Sequence, residues 1–485
     1  MPLKICLVAA EAAPLAKTGG LADVSAALAG YLHRHGHDVR LFIPLYSSIA
    51  SKIVTSPVDA VRDVAVQFGP HSYRFSLHSA QLPDSAAEVF FVSCPALFDR
   101  SSLYTNSWDE HLRFLLLQRA VLESCQRMGF APDIIHCNDW HTALLPLLLK
   151  SIYAWDRLFE RSKTVLTIHN IGYQGVFSAY TVGDLGLGGY GYLLHQDDLR
   201  KGQINWLKHG ILYADCVSTV SPTYAREICT AEGGYGLEGD LRARAQGVQG
   251  ILNGVDYAQW NPATDIYLPY HYDPAHLERK ALVKAATLTR VGLSAPVATP
   301  LLGIVSRMTG QKGFDLLFNT LPEILAARDA CLIAVGSGES YYEDFFAGLQ
   351  LKFPERVAYQ GGYHEELAHL VEGASDMFLM PSLYEPCGLN QMYSLKYGTV
   401  PIVRRTGGLA DSVQQWDPQR RTGTGIVFDH FDAPAMRWAI HTALDLYQDA
   451  TAWKQVMLNG MAQDFSWERA GREYETMYEG LGIRD

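Results

Sequence analysis

The sequence predicts an α/β protein of two doubly wound domains, each a parallel sheet covered by helices on both faces. Three observations predict it. The chain has 485 residues, beyond the size at which a single core keeps growing. Short apolar runs alternate with stretches of helical period along its length. And the hexapeptide Thr-Gly-Gly-Leu-Ala-Asp occurs at 18–23 and again at 406–411, each time after an apolar run and opening a helical pattern.

The strand-like runs of the first half begin at Lys4 (KICLVAA), Val39, Glu88, Asp133, Thr164, Cys216 and Gly250. Between them, Leu21, Val24, Leu28 and Leu32 share one helical face, as do Leu112, Leu115, Leu116 and Arg119. The same alternation restarts with runs at Leu301, Cys331, Val357, Met377 and Val400. The stretch 256–297 differs: it opens with NGVDYAQWNPATD overlapping its start, carries Pro262, Pro269 and Pro274, and is expected to hold the interdomain connection. The expected division is 1–257, an acceptor-side domain; 258–467, a nucleotide-sugar domain; and 468–485, a segment crossing back to the first.

Composition narrows the function. Hydrophobic residues make up 48% and charged residues 19%, ordinary for a globular protein, and the formal net charge is −11. That charge argues against a nucleic-acid binder, which needs a basic face to displace phosphate counterions. The eight cysteines form no Cys-x-x-Cys pair and read as free thiols of a reducing compartment. The N-terminus lacks a signal or transit pattern, and no apolar run is long enough for a membrane span, so a soluble cytoplasmic protein is expected.

The motifs fall at the ends of predicted strands, where open α/β sheets bind ligands. Lys17-Thr18-Gly19-Gly20, continuing to Asp23, lets backbone N–H groups approach an anion at a helix N-terminus; alternatively it is a plain strand-to-helix turn. Its repeat, Thr406-Gly407-Gly408, occupies the same local context. Arg307 and Lys312, five residues apart in one loop, suit a diphosphate clamp that neutralises charge on a departing nucleoside diphosphate; a solvated surface pair has the same pattern. Glu385, fixed by Pro386 and followed by Cys387, Gly388 and Leu389, is a strand-end carboxylate suited to sugar hydroxyls. His136, Asp139 and His141 crowd one strand end. Adjacent residues there do not converge easily on one ion, so no metal is expected and Asp139 is read as facing substrate. His169 ends the run TVLTIHN, Tyr363 offers a ring to a nucleobase, and Asn253 lies in a turn after the last strand of the first half.

Together these segments resemble the bacterial glycogen synthases and plant starch synthases, retaining glucosyltransferases of the GT-B fold. KTGGLADV, DWH, TIHNIGYQG, LNGVD, SRMTGQKG, EPCGLNQ and RTGGLADSV stand in the family's order across essentially the whole chain. The resemblance implies two Rossmann-like domains facing across a deep cleft. It implies transfer of glucose from ADP-glucose to the nonreducing end of an α-1,4-glucan, glycogen or maltooligosaccharide, with retention, release of ADP and no cofactor. By the same resemblance Lys17 and Gly20 meet the donor's phosphate and sugar region, and Arg307 and Lys312 bind the diphosphate. Glu385 holds the glucose hydroxyls, and the His169 carbonyl steadies an oxocarbenium-like centre. Asp139 is a further polar contact, Tyr363 stacks on adenine, and the 407–408 amides contact the phosphates. Asp23, Asn253, Cys387, Gly388, Leu389 and Thr406 complete the expected substrate-binding set. The broader GT-B pattern has a second glutamate eight residues after the first; here that position is Tyr393, which argues against two-carboxylate glycosidase chemistry. An aromatic stacks on either nucleobase, so ADP over UDP comes from the resemblance alone. Two alternatives stand beside this reading: a GT-B enzyme with another acceptor, forming sucrose or maltose phosphate, and a catalytically silent glucan-binding protein.

Overall fold

A computed structural model of the chain describes residues 2–83, 85–362 and 364–482. It divides into two compact units, one comprising Met1–Gly254 with Trp467–Asp485, the other Val255–Ser466.

The first unit is organised on a ten-stranded sheet. Its strands are β1 (Lys4–Val8), β2 (Asp38–Pro44), β3 (Ser56–Pro57), β4 (Val64–Phe68), β5 (His71–Gln81), β6 (Glu88–Ser93), β7 (Ile134–Asn138) and β8 (Lys163–Ile168), then β11 (Cys216–Thr219) and β12 (Gln249–Gly250). A separate antiparallel pair, β9 (Val176–Ser178) and β10 (Gln203–Asn205), lies outside it. The order is β12-β11-β8-β7-β1-β2-β6-β5-β3, with β4 paired to β5. From β12 to β6 the strands are parallel, and those from β11 to β6 are largely buried, as expected of apolar runs covered on both faces. The edge departs from the purely parallel expectation: β5 runs antiparallel to β6, and β3 and β4 antiparallel to β5. The helix Gly20–Arg34 buries Leu21, Val24, Leu28 and Leu32, and Glu110–Met128 buries Leu112, Leu115 and Leu116. The helix Trp467–Glu479 belongs to this unit: Glu475 accepts hydrogen bonds from Tyr31 at 2.8 Å and pairs with His37 at 2.9 Å, and Tyr478 meets His136 at 2.7 Å.

The second unit has a six-stranded, all-parallel sheet: β13 (Leu301–Val305), β14 (Cys331–Val335), β15 (Val357–Gln360), β16 (Met377–Met380), β17 (Val400–Arg404) and β18 (Ile426–Phe428). Its order, β15-β14-β13-β16-β17-β18, grows outward from β13 in one direction and then from β16 in the other. The proline-bearing stretch 256–297 lies inside this unit and folds in part into the helix Lys280–Arg290. Trp260 is sandwiched there, 3.7 Å from the His369 ring and 3.8 Å from the Tyr393 ring, nearly parallel to both.

Among the described residues, no helix is long and apolar enough to cross a membrane. All eight cysteines are free, and seven are buried.

Candidate functional site

Each sheet has one place where the strand order reverses: beside β1 and β7 in the first unit, beside β13 and β16 in the second. Loops leaving the carboxyl ends of the two strands diverge there and open a crevice. Most of the sequence-predicted residues fall on those loops.

In the second unit, Arg307 and Lys312 follow β13 and Glu385 follows β16. Arg307 is exposed. Lys312 Nζ lies 2.7 Å from Glu385 Oε2, and the Ser382 hydroxyl donates to the same oxygen at 2.9 Å, so a buried carboxylate is held by a cation and a hydroxyl. The chain reaches this arrangement through tight backbone contacts. Gly313 has φ 70°, and a Cβ there would stand 2.0 Å from the Pro381 carbonyl oxygen. Gln391, at the start of the helix Asn390–Lys396, donates to the carbonyls of Cys387 and Gly388, fixing the turn Glu385–Leu389 from below.

The second hexapeptide copy opens the short helix Gly407–Ser412 after Thr406. Of the two amides expected at the phosphates, 407 and 408, that of Gly408 donates within the chain, to the carbonyls of Glu385 and Pro386 at 3.1 and 3.2 Å. A Cβ on Gly407, whose φ is 44°, would stand 1.8 Å from Glu385 O, and one on Gly408 would stand 2.0 Å from Cys387 O. These glycines are required by the chain's own packing, and they brace the glutamate loop.

The first copy is different. Gly19 is extended, with φ −160°, and neither Gly19 nor Gly20 has a left-handed backbone. Ideal Cβ atoms on both would meet no other atom within 4 Å. Neither conformation nor packing demands glycine at these positions. Beside them, Lys17 pairs with Asp23 at 2.7 Å, both partly exposed, an ion pair of the sort that holds weakly and exchanges partners readily.

Asp139 and His169 end β7 and β8. Asp139 has φ 54° and ψ −174°, a conformation that costs a non-glycine residue about 1–3 kcal/mol. What holds it there is its carboxylate, which accepts from the His169 amide at 2.7 Å and the Asn170 amide at 3.4 Å. Burial pushes the Asp139 carboxyl up to about 7, against the lowering effect of those two amides, and the nearby Glu11 carboxylate pushes the same way as burial. His169 shares a 2.8 Å hydrogen bond through Nε2 with Asn138 Oδ1, while the Asn138 amide donates to Val8 O; His169 is therefore the Nε2–H tautomer. Burial drives its imidazole down to about 3, so the ring is uncharged near neutrality.

The other strand-end histidines serve the fold. His136 is buried between the Tyr478 and Thr167 hydroxyls, and His141 stacks on Trp140 and Tyr104 with its edge on Phe114. Burial lowers both to about 3. Among the described residues, no group of three His, Cys, Asp or Glu side chains is arranged to hold a metal ion. Asn253, past the two-residue β12, is buried with its Oδ1 unpartnered. Tyr363 lies outside the described residues.

Sequence reasoning missed Glu11, Asn138, Ser382 and Gln391, the side chains that hold the predicted ones. Only Glu11 left a trace, a lone charge inside the apolar run KICLVAAEAAP.

Residues 4–243 match the family model described as starch synthase catalytic domain, and residues 289–456 match glycosyl transferases group 1. A glycogen synthase of Koribacter versatilis is 45% identical, with 98% of each chain covered. One from Thermotoga maritima is 39% identical, again over 98% of each. The solved catalytic domain of starch synthase IV from Arabidopsis thaliana, bound to ADP and acarbose, is similar with a TM-score of 0.91 at 34% identity, covering 100% of both chains.

Proposed function

This chain belongs to the glycogen and starch synthase family and is a glucosyltransferase of the GT-B fold; on that footing we propose that it transfers glucose from ADP-glucose to the nonreducing end of an α-1,4-glucan, with retention of configuration and release of ADP. Glycogen or a maltooligosaccharide is the acceptor, and a soluble, cytoplasmic setting is part of the same reading. In it the first unit is the acceptor-side domain and the second holds the nucleotide sugar.

The observation that carries this reading is the pairing of Lys312 with Glu385 where the second sheet reverses its order. An ammonium has three donors, so Lys312 can keep the carboxylate with one N–H and offer the others to a diphosphate. Arg307, in the same loop, adds a fork that fits phosphate oxygens. Both cations favour the charge that grows on ADP as the glycosidic bond breaks. Glu385 is an acceptor only, which suits glucose hydroxyls. Gly388, Cys387 and Leu389 line the same turn, with Thr406, Gly407 and Gly408 behind it. Tyr363 is the proposed adenine platform.

On the first unit, Lys17 and Gly20 meet the donor's phosphate and sugar region, with Asp23 holding Lys17 and Asn253 a further polar contact. An uncharged His169 suits a centre where positive charge develops, since an imidazolium would repel it, and its carbonyl can stabilise that centre. Asp139 sets the carbonyl's position by accepting from the two amides that flank it, those of His169 and Asn170. A double displacement needs a second carboxylate; the residue eight positions after Glu385 is Tyr393, packed flat on Trp260. That supports a front-face route in which the acceptor attacks on the side the diphosphate leaves.

Proton NMR of maltooligosaccharides elongated by this protein tests the reading. New α-anomeric signals at 1,4 linkages are expected; β-anomeric signals would overturn retention, and no new linkage would overturn the acceptor.

A further inference from the structure

We propose that Glu11 is a positioning residue for the donor-binding loop Lys17–Gly20, clamping its backbone through Thr18 with Tyr104 as a brace; the proposal rests on the reading that this loop meets the nucleotide sugar. Glu11 follows β1 and is 3% exposed. Its Oε2 accepts from the Thr18 amide at 2.5 Å and its Oε1 from the Thr18 hydroxyl at 2.7 Å, and the Tyr104 hydroxyl also donates to Oε1. Three donors from two distant segments therefore converge on one carboxylate, and none of the three is a cation.

The rest of the loop explains why such a clamp is needed. Apart from adjacent residues and the helix's own backbone, nothing lies within 4 Å of where a side chain on Gly19 or Gly20 would begin, so packing does not fix them. The Lys17 side chain is about half exposed. Upstream, the strand-like bridge between Ala12 and Ala16 ties the loop's entrance, and the helix begins at Gly20. Thr18 lies between those two anchors, and Glu11 holds it by both backbone and side chain. Tyr104 extends the support: its ring lies 4.9 Å from His141, on the loop after β7 that begins with Asp139. The clamp thus ties the two loops at the first sheet's reversal point to each other.

The chemistry distinguishes substitutions. Glutamine keeps an oxygen for the Thr18 amide, and its NH2 can face the Thr18 and Tyr104 hydroxyls, which accept as well as donate. Alanine leaves the Thr18 amide and both hydroxyls without their acceptor. Phenylalanine at 104 removes only the brace.

The test is ADP-glucose kinetics and calorimetric ADP binding on the full chain for Glu11→Ala, Glu11→Gln, Tyr104→Phe and Lys17→Ala, with thermal melting of each. For Glu11→Ala, the KM for ADP-glucose and the Kd for ADP should rise about tenfold or more, kcat falling less, because a displaced loop loses aligned contacts. Glu11→Gln should restore most of that loss, and Tyr104→Phe should show a smaller rise. A role confined to stability would lower the melting point and leave KM and Kd alone. Values within about twofold of wild type for folded Glu11→Ala, while Lys17→Ala weakens binding, overturn the proposal; if Glu11→Ala does not fold, Tyr104→Phe decides by the same criterion. Unchanged binding in Lys17→Ala overturns the reading of the loop itself.

Discussion

Glu385 and Lys312 stand 73 positions apart, and each was visible in the sequence only as a charged residue in a loop full of glycine and proline. Their pairing was not visible, because a contact between strand ends depends on which strands neighbour each other. The side chains that tether them, Ser382 and Gln391, are polar residues of no special pattern. Replacing Glu385 by alanine should reduce transfer by about a thousandfold or more, since it removes the contact proposed for the reacting sugar, while the circular dichroism spectrum stays native. Turnover close to wild type would take Glu385 out of the mechanism. Asp139 lends itself to a titration. Its carboxyl, buried and raised from 3.8 to about 7, keeps its proton in the folded chain after the unfolded chain has lost it. The stability that the proton brings is complete below the unfolded value and is lost as pH rises through about 7. Asp139→Asn keeps an oxygen for the two amides and carries no charge. Its melting temperature should gain on wild type between about pH 5 and about pH 8; a constant difference would contradict the raised carboxyl. His136, His141 and His169 act in the opposite sense: each is lowered from 6.5 to about 3, so stability is lost as pH falls through that interval.

At the level of elements, the parallel strands were legible because both faces are buried and their runs are almost purely apolar. The edge of the first sheet was not. Strand β5 reads HSYRFSLHSAQ, with alternating polar positions that dilute its apolar pattern, and Gly69-Pro70 is the one turn signal that sets it off from β4. The pair β9 and β10 is three residues a side, below the length at which a pattern can be counted. The repeated hexapeptide shows best what sequence and structure each contribute. Identical residues open a helix in both units, yet only the second pair of glycines is demanded by backbone and packing. This contrast yields a paired experiment. Gly407→Ala must move the Glu385 carbonyl or strain its own backbone, costing about 1–3 kcal/mol of stability and most of the activity. Gly20→Ala should leave the melting temperature unchanged or raised, because alanine suits a first helical turn, and should raise the KM for ADP-glucose about tenfold. Equal melting losses in the two variants would show that the copies play the same structural part.

For the molecule as a whole, the parallel strands of each sheet are laid down on either side of a central strand, and most of the predicted site residues lie on loops where that order reverses. Under the proposed function, the reversal point of the second sheet is where the diphosphate binds. Diphosphate and sugar should therefore stabilise the native chain by mass action: ADP at about a hundred times its dissociation constant adds about 2.7 kcal/mol, and the Arg307→Ala, Lys312→Ala double variant should lose most of that gain in a melting experiment. The most direct measurement is the rate of maltooligosaccharide elongation with ADP-glucose beside UDP-glucose, followed by chain length and nucleotide release. One nucleoside diphosphate should be released per glucose added, with ADP-glucose the faster donor. An unextended glucan, with either donor consumed by another acceptor or by none, would contradict the proposed function.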